Sequence, residues 1–286
     1  MSRVLVAGCG FTGEAAARLL QNAGWEVLGV TQSKESAEYI SATGLGTVSC
    51  NISSIDQVIS SLGSLGRFDA LVDCVSSGGG GSEAYRKIFL QGARDLLEVV
   101  RPKIFLFTSS TSVYAQNDGS WVTEESPADP ERDTGRVLRE TEELVLAHGG
   151  LVARLAGIHG PGRWALVQKF LDGTATIEGD GSRWINQIHR DDAAAAIAFL
   201  LTNRAPGGIY NVSDGSPLTQ LDCYKILAAH FQKPLPPAGT IDIDRKRGVT
   251  NKRVSNSKLR ALGWVPRFAS MRETLRGISA QLDAES

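Results

Sequence analysis

Three glycines near the start of the chain limit what it can fold into. Gly8, Gly10 and Gly13 form the pattern Gly-x-Gly-x-x-Gly, which follows an apolar run at residues 3–7 and precedes residues 14–22, a segment with helical periodicity. A strand, a glycine turn and a helix in this order are typical of dinucleotide-binding folds, in which the turn and the helix N-terminus hold the pyrophosphate. The predicted cofactor-binding residues of this segment are Gly8, Cys9, Gly10, Phe11, Thr12 and Gly13. A glycine turn that serves only close packing is the alternative.

The end of the second predicted strand, residues 26–30, bears on the choice of cofactor. In many dinucleotide folds an acidic residue at this point accepts hydrogen bonds from the adenosine ribose and selects NAD. Residues 31–34 contain no acidic residue, but Thr31, Ser33 and Lys34 offer two hydroxyls and a cation that suit a 2′-phosphate. We therefore predict NADP, with NAD as the alternative cofactor and a solvated helix start as the alternative role of Lys34.

Strands and helices alternate along the first part of the chain. Further strands are predicted over residues 46–50, 68–75 and 103–108, with helices over residues 55–62 and 83–100. This strict alternation indicates an α/β fold with a doubly wound parallel sheet and right-handed crossovers.

Polar residues follow two of these strands. Ser76 and Ser77 precede four consecutive glycines, and a hydroxyl-rich segment, residues 109–115, follows the fifth strand. Because the carboxyl ends of parallel strands form the ligand-binding edge of an open sheet, we predict that Ser76 and Ser77 contact the cofactor. Alternatively, the glycines form a flexible linker, and the hydroxyls bind the local backbone of a turn.

Composition argues against several classes of function. Thirty basic residues stand against 31 acidic ones, and the net charge of −1 favours neither a nucleic acid nor an anionic membrane as partner. No apolar run approaches the ~20 residues of a membrane span, and a strand rather than a signal peptide opens the chain, so we expect a cytoplasmic protein. The four cysteines lack metal-ligand spacing, so we expect reduced thiols and no metal site.

The order of the elements resembles one known family. The glycine turn is followed by Ser-Ser-x-x-Val-Tyr at residues 109–114 and by an arginine strand with a Gly-Pro-Gly turn at residues 154–162. Residues 185–192, 209–215 and 258–266 resemble three later signatures. Together these segments resemble the extended short-chain dehydrogenase/reductase superfamily, the NAD-dependent epimerase/dehydratase family.

The resemblance implies a Rossmann-like doubly wound core with a smaller C-terminal substrate lobe. The core would comprise residues 1–156 and receive about residues 185–212, while residues 157–286 would mainly form the substrate-binding lobe. In that lobe, the basic segment 244–253 resembles a family segment that meets substrate phosphates, with a solvated loop as the alternative. The implied partners are NAD(P) and a small-molecule substrate, sugar-like or nucleotide-linked, and a homodimer is left open.

The sequence departs from the family at the catalytic helix. The family's Tyr-x-x-x-Lys falls on Thr134 and Leu138, so the usual proton relay is absent. The candidate catalytic residues are Ser110, which matches the family's catalytic hydroxyl, together with Tyr114 and Arg136. A structural or substrate-wall role is the alternative for Tyr114. For Arg136 the alternative is a solvated i,i+4 ion pair with Glu140 on the helix surface, and the same spacing predicts a pair between residues 139 and 143.

Two functions fit these observations. The first is an oxidoreductase or epimerase that acts on a small polar or sugar-like substrate with a non-standard active site. The alternative is a non-catalytic NAD(P)-binding sensor or regulator. Both require cofactor binding, but only the first requires turnover.

Overall fold

The computed structural model describes residues 1–241 and 250–284. For residues 278–284 it describes the backbone alone. In these residues the strands are β1 (Arg3–Ala7), β2 (Glu26–Thr31), β3 (Thr47–Ser49), β4 (Ala70–Asp73), β5 (Ile104–Ser110), β6 (Trp121–Val122), β7 (Leu151–Leu155), β8 (Gly157–His159), β9 (Ile177–Glu178), β10 (Trp184–Ile185), β11 (Gln187–His189), β12 (Gly208–Val212), β13 (Leu218–Thr219), β14 (Ala238–Gly239) and β15 (Arg253–Val254).

The helices of the same residues are α1 (Gly13–Asn22), α2 (Lys34–Ser41), α3 (Ile55–Leu62), α4 (Ser82–Tyr85), α5 (Gly92–Val100), α6 (Asp133–Ala147), α7 (Ala165–Leu171), α8 (Arg190–Thr202), α9 (Gln220–Phe231), α10 (Ser257–Ala261) and α11 (Met271–Ala284). A π-helical segment, Arg86–Gln91, joins α4 to α5, so the three form one continuous helical stretch.

A seven-stranded parallel sheet lies at the centre of the molecule, in the order β3-β2-β1-β4-β5-β7-β12. β1 pairs with β2 on one side and with β4 on the other, and the chain runs outward from β1 in both directions. The strand order therefore reverses at β1 and β4, which opens a crevice at their carboxyl ends. This topology confirms the predicted Rossmann-like doubly wound fold.

The apolar strands account for the centre of this sheet. Val4 to Ala7 of β1 and all four residues of β4 are buried, as expected for strands covered on both faces. The predicted bounds of β1 and α3 match those of the structure. β5 runs two residues further than predicted, so Ser109 and Ser110 form its last residues rather than a turn after it.

Separate hydrophobic clusters cover the two faces of the sheet. On one face α1 and α8 pack through small and branched residues such as Ala16 and Ile197. On the other face α3, α5 and α6 contribute Val58, Leu96 and Val137. A third cluster of buried side chains joins α7, α9 and α11 away from the sheet, and it contains Trp164, Phe170, Tyr224, Leu227 and Met271.

The start of α8 is capped by a histidine and not by either of its acidic residues, Asp191 and Asp192. His189 is the N-cap, and its Nδ1 accepts a hydrogen bond from the amide of Asp191 at 3.2 Å. The carboxylate of Asp192 instead accepts from the amides of Arg267 and Phe268, at 2.7 and 2.9 Å. Asp192 therefore ties α8 to a distant segment of the chain.

Candidate functional site

A cleft of about 910 Å³ lies at the carboxyl ends of the central strands. Its volume is at the upper end for pockets that bind small molecules. Its lining comprises Gly8, Cys9, Gly10, Phe11, Thr12, Val30, Thr31, Gln32, Ser36, Cys50, Asn51, Ile52, Ser53, Cys74, Val75, Ser76, Ser77, Gly78, Tyr85, Ile88, Phe89, Thr108, Ser109, Ser110, Ser112, Ala115, Asn117, Pro130, Glu131, Arg132, Thr134, Gly135, Leu138, Leu155, Ala156, Ile158, Arg163 and Thr250.

The three glycines of the turn have different surroundings. Gly8 has a φ of +74°, and a Cβ added there would lie 2.5 Å from the backbone nitrogen of Val75. A Cβ on Gly13 would lie 2.3 Å from the carbonyl oxygen of Gly8, so Gly13 lets α1 approach the turn. A Cβ on Gly10 would meet nothing within 4 Å. Gly8 and Gly13 are therefore required by the fold, whereas Gly10 keeps a space clear beside the cleft.

The start of α1 offers donors to this space. Among the described residues, none accepts a hydrogen bond from the backbone amides of Phe11 or Thr12, and the Thr12 side chain does not cap the helix. These amides and the positive end of the helix dipole suit an anionic group such as a phosphate. The thiol of Cys9 is buried against Gly29, and burial raises its pKa to about 12, which is the behaviour of a packing residue rather than a reactive thiol.

The segment after β2 reaches the cleft only in part. Thr31 lines it, but its hydroxyl donates to the carbonyl of Ser33 at 2.9 Å. The Ser33 hydroxyl caps α2 by accepting from the amide of Ser36 at 3.2 Å. Ser33 and Lys34 lie outside the cleft lining, whereas Gln32 and Ser36, which sequence reasoning missed, belong to it.

The segment after β4 brings Ser76 and Ser77 to the cleft wall, as their place after the strand suggests. Below them, one carboxylate oxygen of Asp73 accepts from the amide of Val75 at 3.2 Å, and the other has no partner among the described residues. Asp73 is fully buried, and this burial raises its pKa to about 7.

The exit of β5 and the start of α6 form the opposite wall. Ser110, Thr134 and Leu138 all line the cleft, so the structure brings the candidate hydroxyl together with the two positions at which the sequence departs from the family. The Ser110 hydroxyl accepts from the amide of Ser112 at 3.2 Å. Since this bond uses an oxygen lone pair, the Ser110 proton remains available to donate.

A buried ionic network holds this wall from behind. The carboxylate of Glu142 on α6 accepts from Nε and Nη2 of Arg154 at 3.0 and 2.6 Å and from the hydroxyl of Ser109 at 2.5 Å, and it also pairs with Arg139. Glu142 is 0% exposed and Arg154 is 1% exposed. The network joins α6, β5 and β7. The family signature at residues 154–162 includes Arg154, but nothing in the sequence indicates its pairing with Glu142.

Tyr114 and Arg136, two of the candidate catalytic residues, do not line the cleft. Tyr114 is fully buried, its hydroxyl donates to Oδ1 of Asn211 at 2.8 Å, and the Arg154 guanidinium lies 4.7 Å from its ring centre. Burial raises the pKa of Tyr114. These contacts correspond to the structural alternative for this residue.

Arg136 lies on the surface of α6, where its guanidinium binds the carboxylate of Asp133 at 2.8 Å. The i,i+4 spacing predicts a pair with Glu140, but Glu140 instead binds both terminal nitrogens of Arg86, at 2.6 and 2.7 Å. That prediction was wrong because a neighbouring helix supplies a bidentate partner. The other predicted i,i+4 pair of this helix, between residues 139 and 143, is present with a separation of 3.3 Å.

The residues around the Gly-Pro-Gly turn divide between core and cleft. His159 is buried and stacks on Trp164 with ring centres 4.2 Å apart, and burial lowers its pKa to about 3. Arg163 is exposed and lines the cleft, with its guanidinium 5.1 Å from the ring centre of Phe11. A cation therefore stands beside the glycine turn, while His159 belongs to the packing.

Two further parts of the lining were missed by sequence reasoning. Tyr85 and Phe89 come from the helical stretch after the glycine run, and their rings lie 5.0 Å apart. Thr250 comes from the far end of the basic segment 244–253, of which residues 244–249 lie outside the described residues. Nothing in the sequence distinguishes Thr250 from the other residues of this segment.

Within the described residues, no three His, Cys, Asp or Glu side chains could hold a metal ion together. None of the described helices is long and apolar enough to cross a membrane.

A family model covers the elements that build the cleft. The model of the NAD dependent epimerase/dehydratase family matches residues 4–213, which is most of the chain. The chain belongs to this family. The match includes the glycine turn, the seven sheet strands up to β12 and the start of α6.

Individual relatives agree with the assignment. Protein YeeZ of Escherichia coli K12 is 31% identical over 229 residues, which cover 74% of this chain and 77% of YeeZ. A functionally unknown conserved protein from Silicibacter pomeroyi has 28% identity and a TM-score of 0.75 over 100% of both chains. The dTDP-glucose 4,6-dehydratase from Bacillus anthracis, solved in complex with NAD, has a TM-score of 0.78 at 17% identity over 99% of this chain and 98% of its own. At 17% identity, the similarity to this dehydratase shows a shared fold and nothing more.

Proposed function

We propose that the cleft binds NAD(P) and that the protein is an oxidoreductase or epimerase for a small polar or sugar-like substrate, with a non-standard active site. The proposal is carried by the open space beside Gly10, which any side chain would fill, together with the nearby backbone amides of Phe11 and Thr12, which have no partner among the described residues. The family to which the chain belongs is described as NAD-dependent, and the B. anthracis dehydratase was solved with NAD.

For the cofactor, we propose a preference for NADP(H). The residues that the β2 and β3 exits contribute to the cleft lining are Val30, Thr31, Gln32, Ser36, Cys50, Asn51, Ile52 and Ser53, none of which is acidic. A carboxylate that would select a ribose hydroxyl is therefore missing among the described residues of this end. The Thr31 hydroxyl donates to the Ser33 carbonyl, and the Ser33 hydroxyl donates to the Ser36 hydroxyl at 3.1 Å, so Gln32 and Ser36, which line the cleft, are the better placed donors for a 2′-phosphate.

When bound, NAD(P) supplies a hydride donor or acceptor, and the chain must orient the substrate and move a proton. Ser110 can donate a hydrogen bond to a substrate oxygen from the cleft wall. None of the five tyrosines of the chain is followed four residues later by lysine. Thr134 is a much weaker acid than a phenol, and Leu138 carries no charge, so these two positions do not provide the usual proton donor. Tyr85 is the tyrosine that does line the cleft.

The same observations support a second function, a non-catalytic NAD(P)-binding sensor or regulator. It requires the glycine turn and the cleft but no proton donor. We expect little turnover on nucleotide-sugar substrates such as UDP-glucose, because loss of a positioned acid or base usually lowers the rate ~10²- to 10⁴-fold. Robust turnover that survives both Ser110→Ala and Tyr85→Phe would show that the reaction takes place elsewhere.

Cofactor binding is tested by Gly10→Val. The side chain would occupy the space for the pyrophosphate, and loss of two charge-assisted hydrogen bonds at ~1.5 kcal/mol each corresponds to about 100-fold weaker binding. Calorimetric titration with NADP(H) and with NAD(H) measures this effect and the cofactor preference together. The melting temperature should stay nearly unchanged, since nothing lies within 4 Å of the new Cβ.

Gly46→Ala is the matched control, because a Cβ there makes only ordinary contacts of 3.5 Å or more, and Gly46 is not part of the cleft lining. Unchanged cofactor affinity in Gly10→Val would remove the basis of the proposed function. Tighter binding of NAD(H) than of NADP(H) would contradict only the preference.

A further inference from the structure

The strongest unexplained feature beside the cleft is a buried lysine. Lys252 is 5% exposed, although lysine is rarely buried without a carboxylate partner. Among the described residues its one polar contact is with Thr250, whose hydroxyl oxygen accepts from Nζ at 2.8 Å. Burial lowers the pKa of Lys252 to about 8, and no described acid or base contributes to the change.

The position of Lys252 is fixed on both sides by its neighbours. The side chain of Asn186 donates to the carbonyl of Lys252 at 2.8 Å and accepts from the amide of Val254 at 2.7 Å. Asn251 accepts from the amide of Trp184 at 2.9 Å. These contacts hold the backbone of Lys252 in place.

The adjacent cation, Arg253, has a structural role. The Arg253 guanidinium lies between two aromatic rings, 5.2 Å from the centre of Trp121 and 5.0 Å from that of Trp184, and its Nε donates to the carbonyl of Gly119 at 2.8 Å. These contacts account for the position of the Arg253 side chain. Among the described residues, Lys252 has one polar partner, the Thr250 hydroxyl, and Thr250 lines the cleft.

The hydrogen bond sets the direction of the Thr250 hydroxyl. Its oxygen accepts from the ammonium, so its proton is free to be donated, and no described residue accepts it. A hydroxyl bonded to a cation is a stronger donor than an isolated hydroxyl. A negative charge at the cleft wall would also compensate the buried ammonium. The pair is therefore suited to an anionic oxygen.

We propose that Thr250 and Lys252 recognise a carboxylate of the substrate at the cleft wall, with the Thr250 hydroxyl donating to it and the Lys252 ammonium supplying the compensating charge. One cation and one hydroxyl match a singly charged group, whereas a diphosphate requires several cations or amides. The inference rests on the proposed function, because it assigns the substrate to the same cleft.

Acetate serves as the probe, and its affinity is measured by NMR titration with and without a saturating concentration of the cofactor. From a pKa of about 8, the charged fraction of Lys252 falls about 30-fold between pH 7 and pH 9.5, so acetate should bind about 30-fold more weakly at the higher pH. Acetate itself does not titrate in this range. Lys252→Met should abolish binding, and Thr250→Val should weaken it.

Two variants separate charge from structure. Lys252→Arg keeps a cation that does not titrate, so acetate should still bind but without the loss between pH 7 and pH 9.5. Lys225→Met is the matched control, since Lys225 is an exposed lysine 3.6 Å from Asp222 on α9 and should leave acetate binding unchanged. If Lys252→Met does not fold, Thr250→Val and the pH profile of the unmodified protein still decide the question.

Equal acetate affinity in the unmodified protein and in Lys252→Met would overturn the inference, as would a flat pH profile. Pyrophosphate that binds the cofactor-saturated protein more tightly than acetate, and depends on Lys252, would overturn the assignment to a carboxylate. Cofactor titrations of the same variants keep the two proposals apart. If the unmodified protein binds no NAD(P), the proposed function fails, while the acetate titration of the cofactor-free protein still tests the pair.

Discussion

Replacement of Glu142 by glutamine should destabilise the protein more than any single change on the surface of α6. The carboxylate is 0% exposed and accepts from Arg154 through two nitrogens and from Ser109. The amide group is neutral and has only one acceptor oxygen, so Arg154, itself 1% exposed, loses its counter-charge and one hydrogen bond. Removal of one member of a buried pair costs ~3–5 kcal/mol, out of a total stability of about 5–15 kcal/mol.

Urea unfolding at pH 7, followed by circular dichroism, measures this loss. Glu143→Gln is the matched control on the same helix, because Glu143 is 65% exposed and pairs with Arg139 at 3.3 Å, an interaction worth ~0.5 kcal/mol or less. Glu142→Met combined with Arg154→Met removes both buried charges, and the double variant should be more stable than the sum of the single changes implies. A loss below about 1 kcal/mol in Glu142→Gln would refute the view that the pair holds α6 against the sheet.

Two further predictions concern the turn and the strand beneath it. Gly8→Ala should destabilise the protein by more than ~1 kcal/mol, because Gly8 has a φ of +74° and its new Cβ would lie 2.5 Å from the amide nitrogen of Val75; a melting temperature equal to that of the unmodified protein would contradict this. Burial raises the pKa of Asp73 to about 7 from the ordinary value of 3.8, so the folded state binds the proton more tightly than the unfolded state. The contribution of Asp73 to stability therefore falls as the pH rises from about 4 to about 7. Asp73→Asn should remove this fall in stability. The urea midpoints at pH 4.5 and pH 8 should then differ less in Asp73→Asn than in the unmodified protein. An equal difference in the two proteins would show that Asp73 is not the cause.

Local patterns predicted the elements that local physics determines. β1 is an apolar β-branched run that ends in glycines, and α3 has the apolar spacing of an amphipathic helix, so both could be located from the sequence. The strict alternation of strands and helices also predicted the parallel sheet. The reversal of strand order at β1 and β4 then places the glycine turn and Ser76 at one crevice.

Side-chain partners could not be predicted in the same way, because tertiary neighbours compete with local ones. The spacing rule pairs Arg136 with Glu140, but Arg86 offers Glu140 two nitrogens from another helix. The capping rule assigns Asp192 to its own helix, but the amides of Arg267 and Phe268 bind both of its oxygens. In each case the sequence contains a plausible local partner, and the fold supplies a better distant one.

Burial is the second property that the residue pattern conceals, and it changes the chemistry expected of the cleft. Lys252 stands in the most basic stretch of the chain, where composition indicates a solvated cation, yet it is buried behind a cleft hydroxyl. Tyr114 stands in a family signature, yet it lies outside the cleft lining, whereas Tyr85 belongs to it. If the protein transfers a hydride, a phenolic proton can come only from Tyr85, since the lining contains no other tyrosine. A hydroxyl such as Ser110 or Thr250 can orient an oxygen but is a poor acid, so the cleft favours substrates held by charge and hydrogen bonds over those that need strong acid catalysis.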